Sequence, residues 1–251
     1  MRLGIQQAAI VGQASAFPIP TAGLFSMLYG GDSLYTDLGK TTLATLDQPI
    51  AVWADRSGNG NDWIQANASY RPKAEPTYGY GGDGINVGRI KNEGFATGGP
   101  SFHLTGPNIS SWTAGTFAAR LWVNGAHQGC VWGTTSLNSP NTAGHWNYSG
   151  VHYMNFGNTV QRSAGAQPQN TWVTYIQEIS ASGAMRTFLN NVQIQSSTGE
   201  TVGFRSVPYL GGGVRGGTIQ YCIWAYYAKF CCYNRVLSSD ERGSVHTWLT
   251  T

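Results

Sequence analysis

The residues that could carry chemistry are the carboxylates, one oxygen-rich loop and the aromatic side chains. Hydrolysis of a glycosidic bond by paired acids needs two carboxyl groups held about 5–10 Å apart. A spacing such as Glu-x-Asp-x-x-Glu on one strand would deliver them. The chain has five glutamates, Glu75, Glu93, Glu178, Glu200 and Glu241, and none has an acidic neighbour at that spacing. Asp240 and Glu241 adjoin, but Ser238 lies three residues before Glu241, and a helix capping box accounts for them. There is no Gly-x-Ser-x-Gly elbow, and the five histidines are scattered. No catalytic residue is assigned, and a non-enzyme is expected.

The loop is Asp55-Arg56-Ser57-Gly58-Asn59-Gly60-Asn61-Asp62. Asp55, Asn59 and Asp62, with Asn61 beside them, offer the hard oxygens that suit calcium. The same residues read as turn chemistry. Ser57-Gly58 and Asn59-Gly60 are consecutive turn dipeptides, and Asp55 can accept backbone N–H groups as in an Asx turn. Calcium is the one cofactor weighed, against this turn-holding role. The aromatic residues point to sugars, whose apolar faces stack on Trp and Tyr. Trp146, Tyr148, His152 and Tyr153 cluster near one predicted hairpin and form the candidate glycan site. Trp224, Tyr226 and Tyr227 cluster on another strand. Trp53, Trp122 and Trp172 are expected in the core.

These residues need a scaffold, and composition narrows it. The chain has 251 residues, 34 of them glycine, with 11% charged and 12% aromatic residues. That suits one large domain of many short strands and turns. The net charge of +3 is spread without a basic block, so nucleic acid is not an expected partner. No apolar run reaches the roughly 18 residues of a membrane span. Cys130, Cys222, Cys231 and Cys232 lack zinc-ligand spacing. A Cys222–Cys231 bridge across a hairpin is one reading; free, buried thiols in a reducing cytosol are the other.

Residues 1–20 differ from the rest. Arg2, an apolar stretch and Ala14-Ser15-Ala16 could pass for a signal peptide, but Gln6, Gln7 and Gln13 interrupt the apolar part. The other reading is an arm that adds a strand to its own sandwich or docks on a neighbouring subunit. Phe17-Pro18-Ile19-Pro20 is then an extended connector. From 21 to 251 the pattern predicts one domain. Leu24–Tyr29, Thr116–Val123, Gly129–Gly133, His145–Tyr148, Val151–Phe156, Trp172–Ile179, Met185–Leu189 and Val192–Gln195 read as strands. Ile219–Tyr233 holds two strands or one long bent one. Ser238 opens the one helix expected.

Trp53, Asp55, Ser57-Gly58-Asn59-Gly60-Asn61, Arg71-Pro72, Thr171–Tyr175, Phe188–Asn191 and Tyr233–Arg242 stand in the order of the motifs of laminin G-like, concanavalin A-like domains. The chain resembles that family over residues 22–251. The resemblance implies an all-β, two-sheet antiparallel jelly-roll sandwich with an N-terminal extended arm and a short C-terminal helix. It also implies a phage virion surface protein, as a capsid decoration or a tail or fibre component. Its partners would be other virion proteins reached through the arm, further copies of itself, and a cell-surface glycan. A secreted bacterial carbohydrate-binding module is the alternative, and a glycosidase on the same fold a third reading. The family often carries an acid in the closing strand; here that place is Lys229.

Overall fold

The computed structural model describes residues 19–75, 89–93, 102–123, 129–134, 144–148, 150–155, 162–200, 202–204, 207–215, 218–220 and 223–251. In chain order the strands begin with β1 (Leu24–Tyr29), β2 (Leu34–Tyr35), β3 (Val52–Trp53), β4 (Trp63–Ile64), β5 (Lys73–Glu75), β6 (Arg89–Glu93) and β7 (Leu104–Thr105). They continue with β8 (Gly115–Val123), β9 (Gly129–Thr134), β10 (Gly144–Tyr148), β11 (Val151–Asn155), β12 (Arg162–Ala166) and β13 (Trp172–Ile179). The last are β14 (Met185–Leu189), β15 (Val192–Ser197), β16 (Pro208–Leu210), β17 (Gly213–Arg215), β18 (Thr218–Gln220) and β19 (Trp224–Tyr233), before helix α1 (Ser239–Thr250).

Two sheets form. The back sheet runs β15-β14-β13-β8-β19-β6-β5, with β1 also paired to β19. The front sheet runs β12-β11-β10-β9-β16-β7-β4-β3-β2, and β17–β18 is a separate ribbon. The pairings that build them are antiparallel, as a jelly-roll sandwich requires. The run from Ile219 resolves into two strands, β18 and β19. Asn190 and Asn191 both take positive φ, 48° and 65°, which is the backbone of a two-residue hairpin turn between β14 and β15.

The inner faces of the sheets meet in the main core. Phe117 of β8 stacks on Trp132 of β9 with centroids 3.9 Å apart, and Trp63 of β4 meets Phe230 of β19 at 4.9 Å. Trp53, Trp63, Leu121, Val123, Ile179 and Tyr227 are fully enclosed there. Burying a side chain of this size contributes about 1.5–3 kcal/mol, so these rings hold the sheets in register.

The back sheet is apolar on its outer face too. A second core of Met27, Ala118, Ile176, Phe188, Cys231 and Tyr233 is roofed by Val245, Trp248 and Leu249 of α1. Adjacent Cys231 and Cys232 fall into different cores, as alternation requires. Both are free and buried, as is Cys130, so Cys231 carries no bridge to Cys222. Ile19 is buried in the second core at 3% exposure. Ile19 thus packs with the domain although it precedes the boundary expected at residue 21. Residues 1–18 lie outside the described residues.

Helix α1 starts as its sequence dictates. The Ser238 hydroxyl accepts from Glu241 N, and the Glu241 carboxylate accepts from Ser238 N at 2.8 Å. Arg235 adds a two-pronged ion pair to Glu241 at 2.6 and 2.8 Å. That guanidinium, with the Ser238 amide, holds the Glu241 carboxyl down to about 2.

Candidate functional site

The oxygen-rich loop is used by the fold itself. Asp55 Oδ1 accepts from the Met27 and Ser57 amides, both at 2.9 Å, and Oδ2 from Ser57 Oγ and the Asn61 amide at 2.7 and 3.0 Å. Four donors occupy the directions in which a carboxylate accepts. Asn59 and Asn61 donate their side-chain amides to Leu24 O and Phe25 O on β1, at 2.8 and 2.7 Å. Asp62 accepts from the Asp55 amide and from Lys40 Nζ, both at 2.8 Å. Gly58 and Gly60 take φ of +87° and +72°, which makes the turn possible. These bonds are the turn-holding alternative. Asp55, Asn59 and Asp62 are not gathered as a calcium shell, and among the described residues no cluster of three His, Cys, Asp or Glu suits a metal.

The expected glycan residues divide between two faces. The β10–β11 register sets Trp146 opposite Tyr153, Asn147 opposite His152 and Tyr148 opposite Val151. Positions 146, 148, 151 and 153 thus share one face, and 147 and 152 the other. Tyr153 and Val151 are half-buried, whereas His152 is fully enclosed. Its ring meets Tyr175 edge-on at 5.1 Å, and burial pulls it down to about 4, so it is a neutral core residue near neutral pH. His152 therefore leaves the candidate glycan set. Its polarity suggested exposure, but its place in the two-residue alternation put it inside.

A second aromatic face lies on the back sheet, beyond the end of α1. Trp122 and Trp172, expected in the core, are instead half-buried on the outer face. They are direct cross-strand partners, and their rings meet edge-on with centroids 6.0 Å apart. Strand register continues this row to Tyr226 and then to Lys91 and Lys73. The alternation held the clue. Two residues from Trp122 stands Arg120, and two from Trp172 stands Thr174, polar groups that mark the outer face.

The next row ties the platform to the helix. Arg120 donates to Leu249 O and Thr250 O at 3.1 and 2.8 Å, and Lys229 donates to Trp248 O at 2.6 Å. Thr174 Oγ1 lies 2.9 Å from His246 Nδ1. The helix has no basic residue in its own last turn, so the sheet supplies the cations that complement its carbonyl end. Arg120 also lies over the Trp172 ring, 5.5 Å from its centroid, and Lys229 over Trp248 at 5.3 Å. Burial and the neighbouring Arg120 guanidinium lower the Lys229 ammonium to about 8. Lys229, in the closing strand, is thus a cation with a structural task. Trp172 is braced from below, and a braced ring loses little freedom when a ligand stacks on it.

Several of the described carboxylates are spent on structure. Glu178 is enclosed between Arg186 and Arg242, at 2.8 and 3.4 Å. Glu200 pairs with Arg162, Asp32 with Arg56, and Asp37 caps the Thr41 and Thr42 amides.

No protein family matches this sequence, and no curated protein matches it either. Solved structures share its fold. A Trypanosoma rangeli sialidase in complex with difluorosialic acid superposes with a TM-score of 0.61 at 16% identity, covering 97% of this chain and 35% of the sialidase. The botulinum neurotoxin serotype D binding domain superposes with a TM-score of 0.53 at 11% identity, covering 91% of this chain and 51% of that one. The chain therefore spans about a third of the sialidase and half of the toxin domain, and what it shares with both is the β-sandwich.

Proposed function

We propose that this chain is a non-catalytic, glycan-binding β-sandwich that serves on the surface of a phage particle, as a capsid decoration or a tail or fibre component. The observation that carries the glycan reading is the Trp122–Trp172 pair. Two large half-buried rings meet edge-on on the outer face of the back sheet, next to a helix that stops short of them. Sugar rings stack on such surfaces, and neighbouring polar groups read their hydroxyls. The face of β10–β11 that carries the half-buried Val151 and Tyr153 is a second candidate surface; the side chains of Trp146 and Tyr148 lie outside the described residues. The sandwich shared with a sialidase and a toxin binding domain is consistent with this use.

The virion reading is supported by the motif order that resembles laminin G-like domains. Three buried free thiols favour assembly in a reducing cytoplasm over secretion. In this reading the N-terminal arm, residues 1–20, reaches other virion proteins or further copies of the chain. The test is a glycan array with the full chain beside Trp122→Ala and Tyr153→Ala. The reading expects at least one bound glycan and loss of its signal in the variant whose face binds it. An empty array with folded protein overturns it.

A further inference from the structure

We infer that the loop of residues 55–61 is a strap over the outer edge of β1, and that it keeps this strand from pairing with the same strand of a second copy of the chain. The strap acts whether or not a glycan is bound.

Among the described strands β1 pairs only with β19, so its far side is a strand edge. Met27 stands opposite Cys231, but its backbone bonds are made on the far side. Its amide donates to Asp55 Oδ1 at 2.9 Å, and its carbonyl accepts from the Arg56 amide at 2.8 Å. One residue thus meets an acceptor and a donor side by side, as it would on a neighbouring antiparallel strand. A register shift between Leu24 and Ser26 sets an extra residue, Phe25, into β1. There Leu24 O and Phe25 O both face the loop, and Asn59 and Asn61 donate to them at 2.8 and 2.7 Å. Ser26 Oγ in turn donates to Asn61 O at 3.1 Å. A carboxylate, a backbone amide and two side-chain amides take the place of a strand. The carboxylate is itself fixed by the Ser57 and Asn61 amides and by Ser57 Oγ, so the strap is closed on itself as well as on β1.

The sequence of β1 says why the edge needs covering and what would otherwise occupy it. An open edge offers its amides and carbonyls to any other strand. β1 reads Leu-Phe-Ser-Met-Leu-Tyr, six residues with no charge, no proline and no glycine. Exposed segments of that composition pair with copies of themselves. The occupant that fits the edge is therefore β1 of a second chain. Proteins blunt edges with charge, proline or bulges. Of these β1 has only the bulge at Phe25, and the loop supplies the rest from outside. The residues singled out in the sequence as a turn signature thus have a second task. Asp55, Asn59 and Asn61 present, from a turn shaped by Gly58 and Gly60, the groups that an added strand would bring.

The experiment compares the full chain with Asp55→Ala and with the double variant Asn59→Ala, Asn61→Ala. Sedimentation velocity gives the size of each from about 1 to 100 µM, where exposed strand edges associate. Hydrogen exchange reads the Met27 amide, and circular dichroism establishes that each variant is folded. At the lowest concentration the Met27 amide should exchange at least tenfold faster in Asp55→Ala than in wild type. As the concentration rises, both variants should form species larger than the wild type does. In those species the Met27 amide should be slow again, because a strand of another chain now accepts from it. The double variant keeps every bond to Asp55 and carries the test if Asp55→Ala does not fold. Folded variants that keep the wild-type size across the range overturn the inference, as do larger species in which Met27 still exchanges fast. Unfolding of both variants overturns it too, since the loop would then hold the fold rather than cover an edge.

Discussion

One face of the back sheet is handled in two ways, and the contrast separates what holds the fold from what the fold presents. Under α1 the outer face carries Ala118, Ile176, Phe188, Cys231 and Tyr233, and the helix covers them with Val245, Trp248 and Leu249. Beyond the end of α1 the same strands carry Trp122, Trp172 and Tyr226, and two of these rings stay half-exposed. The boundary between the halves is Arg120 and Lys229, whose cations meet the last carbonyls of the helix. Both halves carry large rings: Phe188 and Tyr233 are buried in the core that the helix roofs, whereas Trp122 and Trp172 are left half-buried. The covered half also encloses a charge, and there Glu178 pairs with Arg186 and Arg242.

The comparison can be broken at either half. The largest expected effect is at Glu178, enclosed between Arg186 and Arg242. Glu178→Ala leaves Arg242 without its carboxylate beneath the helix and should cost about 3–5 kcal/mol, read by denaturant unfolding. Glu178→Gln, which keeps the shape, should cost less. Next is Arg120→Ala, which removes the bonds to Leu249 O and Thr250 O and the brace under Trp172. A loss of about 1.5–3 kcal/mol is expected, together with weaker glycan binding.

The third test is pH. Lys229 titrates at about 8 in the folded chain, below the 10.5 of a free lysine. Between those values the unfolded chain keeps a proton that the folded chain has released. Stability from this group therefore rises with pH from about 8 to 10.5, by up to about 3 kcal/mol. Buried Cys231 and Cys232, pushed up by burial, act in the opposite sense at alkaline pH. The difference between wild type and Lys229→Met isolates the lysine, and that difference should slope across this window. A flat difference would mean that the helix carbonyls hold the charge on Lys229.

The open half should answer differently. Trp122→Ala should lower stability by only about 1–2 kcal/mol, because the ring is half-exposed, yet reduce glycan affinity by about tenfold or more. The smallest effect is expected at the helix start, where Ser238→Ala removes one cap and should cost about 1 kcal/mol with binding unchanged.

What the sequence disclosed follows the range of the forces involved. The capping box at Ser238 and Glu241 and the Asx turn at Asp55 are legible because their partners lie within a few residues. Trp172–Ile179 and Met185–Leu189 were legible as strands from local alternation, and they pair as β13 and β14 around a turn in which Gly183 takes φ of +78°. The side of the sheet on which Trp122 and Trp172 lie was harder to read. Periodicity sorts β8 and β13 into two faces, but both faces are apolar because α1 covers part of the outer one. Telling inside from outside required the helix, more than a hundred residues further on from β8. His152 misled for the converse reason, since a polar residue in a regular strand was read by its chemistry rather than by its parity. The sheet-spanning row of Trp172, Trp122, Tyr226, Lys91 and Lys73 joins five separate segments, and strand order is what brings them into line.

The central claim is that the open half of the back sheet touches sugar. The most direct measurement is an NMR titration of the tryptophan indole N–H resonances with a bound glycan, with Trp122 and Trp172 assigned through single Trp→Phe variants. The account predicts that the Trp122 and Trp172 signals shift on titration while those of the enclosed Trp53, Trp63 and Trp132 stay in place. Shifts confined to Trp146, with Trp122 and Trp172 unmoved, would place the sugar on the front sheet and contradict it.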